Sequence, residues 1–364
     1  MIDFVVYIIL FFAFLQLLVA LVNFFFKERL PVRDAKTPLP SLSVLVPARN
    51  EEKNMRQLLG DLTAISDRIL EIIVYDDQSV DDTAAIVEEF ATCDQRIRLI
   101  SGDALPDDWS GKNHACYRLS QEASGEYFLF LDADVRVWEG VIDRSLQYTK
   151  RRHCDLMSIF PIQEMLSMGE KITVPNMQII LLTLLPLPLV RLSGFPSLAA
   201  ANGQFMLFCG DAYRALDPHS QFRKSRAEDI EISRYLKQQR KRVSCLTGIR
   251  DIRCRMYHSR EEAVEGFSKN VTHFFGNSLV ATISYWLVTT LGFVVFLAAG
   301  RIDLLWLWFA FTLLARAAAL LTAGMNVGSN LLLCLPQQGM LGAFILRSMV
   351  NKQKKTFRWK GRTL

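Results

Sequence analysis

Asp132 and Asp134 follow the apolar run Tyr127-Phe128-Leu129-Phe130-Leu131 and are the residues of this chain best placed to do chemistry. Two carboxylates at i and i+2 on a strand point to one side, so the spacing predicts that they converge. Like charges held that close repel unless a cation lies beside them, and a hard divalent ion with oxygen ligands, Mg2+ or Mn2+, is the natural partner. Bridging such an ion to a substrate diphosphate is the usual purpose of a site of this kind. Asp is also common where strands end, so a solvated strand-to-loop turn is the competing reading.

Other acids and one cation gather at further strand ends. Asp76 and Asp77 are adjacent and must point to opposite sides, so one can face a crevice while the other caps the following turn or helix. Ser79 and Asp81 suit capping equally well. Lys112, after Gly111 in Trp109-Ser110-Gly111-Lys112-Asn113, reads either as a cation carried to a phosphate on a flexible loop or as a solvated surface lysine.

These residues need a scaffold, and the sequence supplies alternating strands and helices. Leu42 to Pro47 reads as a short buried strand, and the segment Ala48 to Glu52 opens a helix with acids in its first turn. A second unit has the strand Glu71 to Tyr75, and a third strand lies near Ile97 to Ile100, with a helix from His114 to Ala123 after it. The unbroken apolar run 127–131 predicts a strand buried on both faces. The expected architecture is α/β, a mostly parallel Rossmann-like sheet with helices on both faces. In such sheets the ligand crevice lies beyond the carboxyl ends of the strands, where Asp132 and Asp134 emerge.

Composition places this scaffold beside a membrane. The 364 residues suffice for about two domains, and 51% are hydrophobic. A mean hydropathy of +0.18 is high for a soluble protein and low for one lying wholly in a bilayer. The net charge is +5. Basic residues crowd at Lys27, Arg29 and Arg33 and in the tail at Lys352, Lys354, Lys355, Arg358, Lys360 and Arg362, as at the cytoplasmic flanks of membrane segments. No aromatic-basic groove motif accompanies the tail, so nucleic acid is not expected as a partner. Seven scattered cysteines with no C-x-x-C pair argue against a disulfide framework or a zinc site and favour a reducing cytosol.

Taken together, the motifs resemble the membrane-anchored family 2 glycosyltransferases, with their nucleotide-diphospho-sugar transferase fold of the GT-A type. Pro47-Ala48-Arg49-Asn50-Glu51 is similar to the opening nucleotide-binding segment, and Asp76-Asp77-Gln78-Ser79-x-Asp81-x-Thr83 to the Asp-Asp-x-Ser-x-Asp-x-Thr signature. Trp109 to Lys112 and Asp132-Ala133-Asp134 stand at the donor-contacting loop and metal motif, and Ala201-Asn202-Gly203-Gln204-Phe205 and Glu228-Asp229 match the acceptor-side segment and the catalytic pair. The resemblance implies that Glu51 and Asp77 contact ribose and uracil, that Pro47, Ala48, Arg49 and Asp132 join them in holding the donor, and that Lys112 approaches the diphosphate. Asp134, with Asp132, becomes the metal site, and Asp229 the base of an inverting transfer. Asn202, Gly203, Glu228, Arg255 and Tyr257 fall on the acceptor side. Arg255-Met256-Tyr257-His258-Ser259-Arg260 resembles the lipid-directed branch, which includes hopanoid-associated and carotenoid-acid glycosyltransferases. The family's Gln-x-x-Arg-Trp motif is missing its Trp in Gln238-Gln239-Arg240-Lys241-Arg242, which argues against chain polymerisation. Of the Gly-Gly-His segment only His219 carries over, and the basic run Arg223, Lys224, Arg226 reads as a phosphate-sensing loop or a solvated face.

Residues 4–26 are apolar except for Gln16 and Asn23 and long enough to cross a bilayer, with positives after them. The expected organisation is a retained anchor at 1–30, a linker at 31–40, a cytoplasmic catalytic domain at 41–272, a membrane domain at 273–351 and a basic cytoplasmic tail at 352–364. Within the catalytic domain, 177–192 is apolar but broken by Pro186 and Pro188, which suggests an interfacial helix pair on the leaflet, or a buried core helix. Residues 278–300 and 304–324 form a spanning hairpin, inside which Arg316 must snorkel, pair or meet a lipid headgroup. Residues 331–349 read as a re-entrant or interfacial hairpin around Pro336 to Gly339. The function expected from all this is metal-dependent, inverting transfer of a sugar from a nucleotide-diphosphate donor, a UDP-sugar, to a membrane lipid or isoprenoid acceptor. A polysaccharide synthase and a silent membrane scaffold are the alternatives.

Overall fold

The structure is a computed structural model that describes residues 2–34, 38–65, 69–138, 140–354, 358–359 and 362–363. Of the tail residues named above, Lys355 and Lys360 lie outside the described residues. In chain order, helix α1 (Ile2–Phe25) precedes β1 (Leu42–Ala48), α2 (Glu52–Ala64), β2 (Ile69–Asp76), α3 (Thr83–Cys93), β3 (Ile97–Ser101), α4 (Gly111–Glu122), β4 (Tyr127–Leu131), β5 (Val135–Val137) and α5 (Val141–Arg152). Next come β6 (Leu156–Phe160), β7 (Ile162–Gln163), α6 (Met168–Thr173), α7 (Pro175–Leu184), α8 (Pro188–Leu192), β8 (Phe205–Cys209), α9 (Gly210–Leu216), α10 (Pro218–Gln221) and α11 (Glu228–Gln238). The chain continues through β9 (Val243–Thr247), β10 (Ile252–Cys254), α12 (Arg260–Asn270), α13 (Leu279–Ala298), α14 (Ile302–Ala323), α15 (Val327–Leu332) and α16 (Cys334–Lys354).

Two compact units result. A sheet unit comprises Glu28–Ile162 and Leu189–Arg255, and a helical unit comprises Met1–Lys27, Gln163–Pro188 and Met256–Leu364. These boundaries differ from the linear ones read from the sequence, because α1 and α7 pack with helices from the end of the chain.

The sheet unit is built on seven strands in the order β3-β2-β1-β4-β8-β6-β9. The pairs β2–β3, β1–β2, β1–β4 and β6–β9 are parallel, whereas β8 runs antiparallel to both β4 and β6. The sheet is therefore mostly parallel, as the βα alternation predicts. Its central strands are buried on both faces: Val44, Leu45, Ile72, Ile73, Phe128 and Leu129 are all fully enclosed. The starts of β1, β2 and β4 are fastened by a small polar knot, in which Gly125 N donates to Ser43 Oγ at 2.9 Å and Ser43 Oγ donates to Glu71 at 2.6 Å. A Cβ at Gly125 would lie 2.7 Å from Ser43 N, so the close approach requires glycine. The opposite ends of these strands are left to carry the polar side chains.

The helical unit holds three helices long and apolar enough to cross a membrane: Ile2–Phe25, Leu279–Ala298 and Ile302–Ala323. Val6, Ile9 and Ala13 of α1 pack with Phe296, Leu305 and Trp308 of the other two, and Ala20 packs with Ala315 and Ala318. The polar residues of α1 also have structural uses. Asn23, 1% exposed, donates to the carbonyls of Leu182 and Leu185 and accepts from Leu187 N at 2.7 Å, which satisfies the chain where α7 ends.

Two expectations for this unit change. Residues Pro175 to Thr183 of α7 are buried, the alternative of a core helix, because the helix packs among α1, α14 and α16. Residues 331–349 do not fold as a hairpin around Pro336: the break falls at Leu333, and α16 runs unbroken to Lys354. Pro336 is third in that helix, within the first turn, where a missing N–H costs little.

Candidate active site

The acidic motifs meet at the carboxyl edge of the sheet in the sheet unit. β2, β1 and β4 are neighbours and parallel, so Asp77, the turn after Ala48 and Asp132 emerge side by side. The pleat argument for Asp132 and Asp134 does not hold, however. β4 stops at Leu131, and the two acids lie in the turn before β5, closed by Val135 N donating to Asp132 O at 3.2 Å. They converge because the turn curls, not because a strand alternates.

Lys112 is the centre of the cluster. Its Nζ lies 2.9 Å from Asp132 Oδ1 and 3.4 Å from Glu228 Oε1. Burial pulls the ammonium pKa down, but the two carboxylates outweigh it and hold the group well above its ordinary value. The flexible-loop expectation is corrected here: Lys112 is the second residue of α4, whose start is pinned by Ser110 N to Arg223 O at 2.7 Å and by Asn113 Nδ2 to Phe222 O at 2.6 Å. Arg223 itself pairs with Asp108 and lies over the Trp109 ring, so this part of the basic run is a fixed brace.

Asp229 and Glu228 open α11. Asp229 Oδ2 accepts from Gly203 N at 3.0 Å and Oδ1 from Ile230 N at 2.8 Å, which fixes the plane of the carboxylate. A Cβ on Gly203 would stand 3.0 Å from Lys112 Nζ and 3.4 Å from Glu228 Oε1, so the glycine leaves the space these groups share. Burial raises Asp229, and burial pushes Glu228 up to about 7 against the pull of Lys112. Asn202, on the same segment, accepts from Gln204 N through Oδ1 and donates its own N–H to Ser158 Oγ at 2.8 Å.

Asp134 is pushed up to about 7 by burial, with the Asp132 carboxylate adding to it. Its Oδ1 is buried and has no hydrogen-bond partner. That orphaned oxygen beside Asp132 fits a hard divalent cation. Among the described residues no cluster of three or more His, Cys, Asp or Glu side chains forms a complete cage, so such an ion would draw its other ligands from water or substrate oxygens, the usual way magnesium is held.

Two residues to which the sequence reading gave no role at Asp134 support this acid. The Cys254 thiol, fully buried at the end of β10, hydrogen-bonds the Asp134 carboxylate and accepts from Gln204 Nε2 at 2.8 Å. Gln204 O in turn accepts from Asp132 N at 3.2 Å. The stretch 202–204 therefore ties Asp229 to both acids of the metal motif. Gln204 was signalled only as part of the acceptor-side segment, and nothing in the spacing of the cysteines marks Cys254.

On the donor side, Ser79, Asp81 and Thr83 accept from the backbone N–H groups of Asn50, Glu52 and Glu51 at 2.9, 3.1 and 2.8 Å. They hold the turn after β1, in which Asn50 adopts a left-handed φ of 53°. Pro47 and Ala48 pair with Tyr75 and Asp76 at the strand ends. Arg49 donates to the Asp77 carbonyl and lies 3.9 Å from its carboxylate, while Asp76 accepts from Ser79 N, and both acids are buried at the strand end. Glu51 accepts from Asn54 Nδ2 at 2.8 Å. His219 is enclosed, with Nδ1 2.6 Å from the Tyr213 hydroxyl and its ring against Phe130, so it packs the core. Arg255 follows Cys254 directly in the sheet unit, whereas Tyr257 belongs to the helical unit, where it packs against Gly266 and Phe267.

Comparison with known proteins bears on the family and the fold. Residues 43–167 match the family model described as Glycosyl transferase family 2, a stretch that holds the donor-side segments and ends before Asn202 and Asp229. The chain is 37% identical over 123 residues to a 4,4'-diaponeurosporenoate glycosyltransferase of Staphylococcus haemolyticus, covering 33% of this chain and 32% of that protein. It is 35% identical over 96 residues to the protein of the same name from Staphylococcus aureus, covering 26% and 24%. The chain thus matches about a third or less of the length of these curated relatives. The fold is that of a mannosyltransferase from Pyrobaculum calidifontis solved with GDP-Man and Mn2+, with a TM-score of 0.55 over 97% of this chain and all of that one, at 16% identity.

Proposed function

Proceeding from the family 2 glycosyltransferase domain over residues 43–167, we propose that the protein moves a sugar from a nucleotide-diphosphate donor, a UDP-sugar, to a membrane lipid or isoprenoid acceptor, with inversion at the sugar carbon. The observation that carries the reading is the meeting of Lys112, Asp132, Glu228 and Asp229 around Gly203 at the sheet's carboxyl edge. The names of the staphylococcal relatives support an isoprenoid acid as the acceptor class. The three long apolar helices support a membrane setting, and the basic residues after α1 support a cytoplasmic catalytic face.

In this mechanism Asp77, Arg49 and Glu51 hold the nucleoside, and Lys112 presents its ammonium to the leaving diphosphate. Asp132 and Asp134 would hold Mg2+ or Mn2+, which when bound offsets charge developing on that diphosphate. The acceptor oxygen forms its bond to the sugar carbon as the bond to the phosphate oxygen breaks, and that electron pair leaves with the nucleoside diphosphate. Where the acceptor is an alcohol, Asp229 takes the hydroxyl proton, its carboxylate held in plane by two backbone N–H groups and its basicity raised by burial, whereas an isoprenoid acid attacks as its carboxylate with no proton to lose.

The test is to incubate the full-length protein in detergent with a panel of UDP- and GDP-sugars and a lipid extract, and to follow nucleotide release and labelled lipid. Donor-dependent labelling that EDTA abolishes and Mn2+ or Mg2+ restores is expected. Labelling that persists at full rate in excess chelator would remove the metal role from Asp132 and Asp134.

A further inference from the structure

Arg316 carries a charge that no carboxylate among the described residues meets. It stands in α14, one of the three helices apolar enough to cross a membrane, yet it is only 7% exposed. Its Nε and Nη2 are buried with no hydrogen-bond partner, and among the described residues no carboxylate pairs with it. A guanidinium does not shed its proton, so burial cannot neutralise it as it would a lysine. An unpaired charge in an apolar bundle is costly, and such residues in membrane helices face binding sites or ion pathways.

The surroundings narrow the missing partner. Tyr285 of α13 and Cys334 of α16 lie within electrostatic reach of the guanidinium. The Tyr285 hydroxyl accepts from Gln16 of α1 at 3.4 Å and also bonds Thr183 of α7. Four helices thus contribute polar side chains, and none of the four is an acidic residue. Nε–H and the outer Nη2–H lie on the same edge of the guanidinium, the fork that takes two oxygens of a carboxylate or phosphate side-on. Roughly 10 Å of helix, at about 1.5 Å per residue, separates Arg316 from the end of α14 at Ala323. That depth suits an anion carried on an apolar tail.

We propose that Arg316 is the anion-recognising residue of a lipid site in the helical unit, binding a carboxylate or phosphate of an amphiphile through Nε and Nη2. The site is argued from the helical unit alone; that its ligand is the glycosyl acceptor is a step that rests on the transferase reading.

Full-length protein in neutral maltoside detergent is titrated, following tryptophan fluorescence, with two matched pairs: all-trans-retinoic acid against retinol, and dioleoyl phosphatidic acid against dioleoylglycerol. Wild type is expected to prefer the anionic member of one pair by roughly thirtyfold or more, and Arg316→Gln to lose that preference. Arg316→Lys keeps the charge without the fork and is expected to recover only part of it. Preference within the retinoid pair identifies a carboxylate ligand, and preference within the glycerolipid pair a phosphate. If both preferences are absent in wild type, or survive in Arg316→Gln, the inference fails. Arg316→Met guards against misfolding, since removing a buried charge without a partner raises Tm of the lipid-free protein, whereas a lower Tm would mean that the chain itself satisfies Arg316. Nucleotide release from sugar donors, read on the wild-type preparation, keeps the two readings apart: its absence would sink the transferase reading and leave the lipid result standing.

Discussion

At the scale of residues, the acceptor's own chemistry decides how much Asp229 matters. A hydroxyl acceptor must lose a proton as it attacks, whereas a carboxylate arrives already ionised. Asp229→Asn is therefore expected to lower kcat about 100-fold or more with an alcohol acceptor and far less with an isoprenoid acid, measured by labelled product formation. Equal losses with both would show that Asp229 acts by holding Gly203 and not by taking the proton. The pair Gln204 and Cys254 makes a separate claim on the metal motif. Cys254→Ala is expected to raise the Mn2+ concentration for half-maximal nucleotide release about 10- to 100-fold, with Cys254→Ser restoring part of it, because the hydroxyl can still donate to Asp134. His219 sets an acid limit. Burial, aided by Lys112, lowers it from 6.5 to about 3, so the unfolded chain takes a proton that the folded one refuses. Its contribution to stability is complete above pH 6.5 and is lost as pH falls towards 3, by about 1.4 kcal/mol per pH unit. His219→Gln should show a shallower fall of Tm between pH 7 and 4, and parallel curves for the two proteins would refute this.

At the scale of elements, the positions of the strand-end acids were legible and the wiring between them was not. Strand ends announce themselves through apolar runs followed by acids, so the places of Asp77, Asp132 and Asp134 could be read directly. The start of α4 could not: Ser110 makes no side-chain cap, and what fixes Lys112 in a helix is a loop more than a hundred residues away, at Phe222 and Arg223. Nor did Asp132 and Asp134 follow the period of a strand, since a turn competes for the same residues. The antiparallel β8 was hidden for a related reason, because a buried apolar pentad looks the same whichever way its strand runs. Hydropathy also misjudges Asn23, which reads as a defect in a membrane helix and serves as the polar clasp at the α7 terminus. Asn23→Leu makes the helix more apolar, yet it orphans three buried backbone groups and is expected to destabilise the protein by about 3 kcal/mol or more, visible as a lower Tm in detergent. An unchanged Tm would mean that water or detergent replaces the side chain.

At the scale of the whole molecule, α1 is part of a core and not a tether. Its buried face meets α13 and α14 through Val6, Ile9, Phe296 and Trp308. Deleting residues 1–27 is accordingly expected to abolish recovery of folded protein from membranes, and replacing them with an unrelated apolar helix is expected not to restore it. Size-exclusion chromatography of the detergent extract reads both, and a monodisperse replacement variant would show that any anchor suffices. The same interleaving has a consequence during synthesis. Residues 1–27 leave the ribosome early, while α13 does not begin until Leu279. At about 5–20 residues per second, roughly fifteen to fifty seconds pass before the first helix can meet its later neighbours. Throughout that interval Tyr285 is not yet made, so Gln16 depends on the insertion machinery or on lipid headgroups for shelter until α13 emerges.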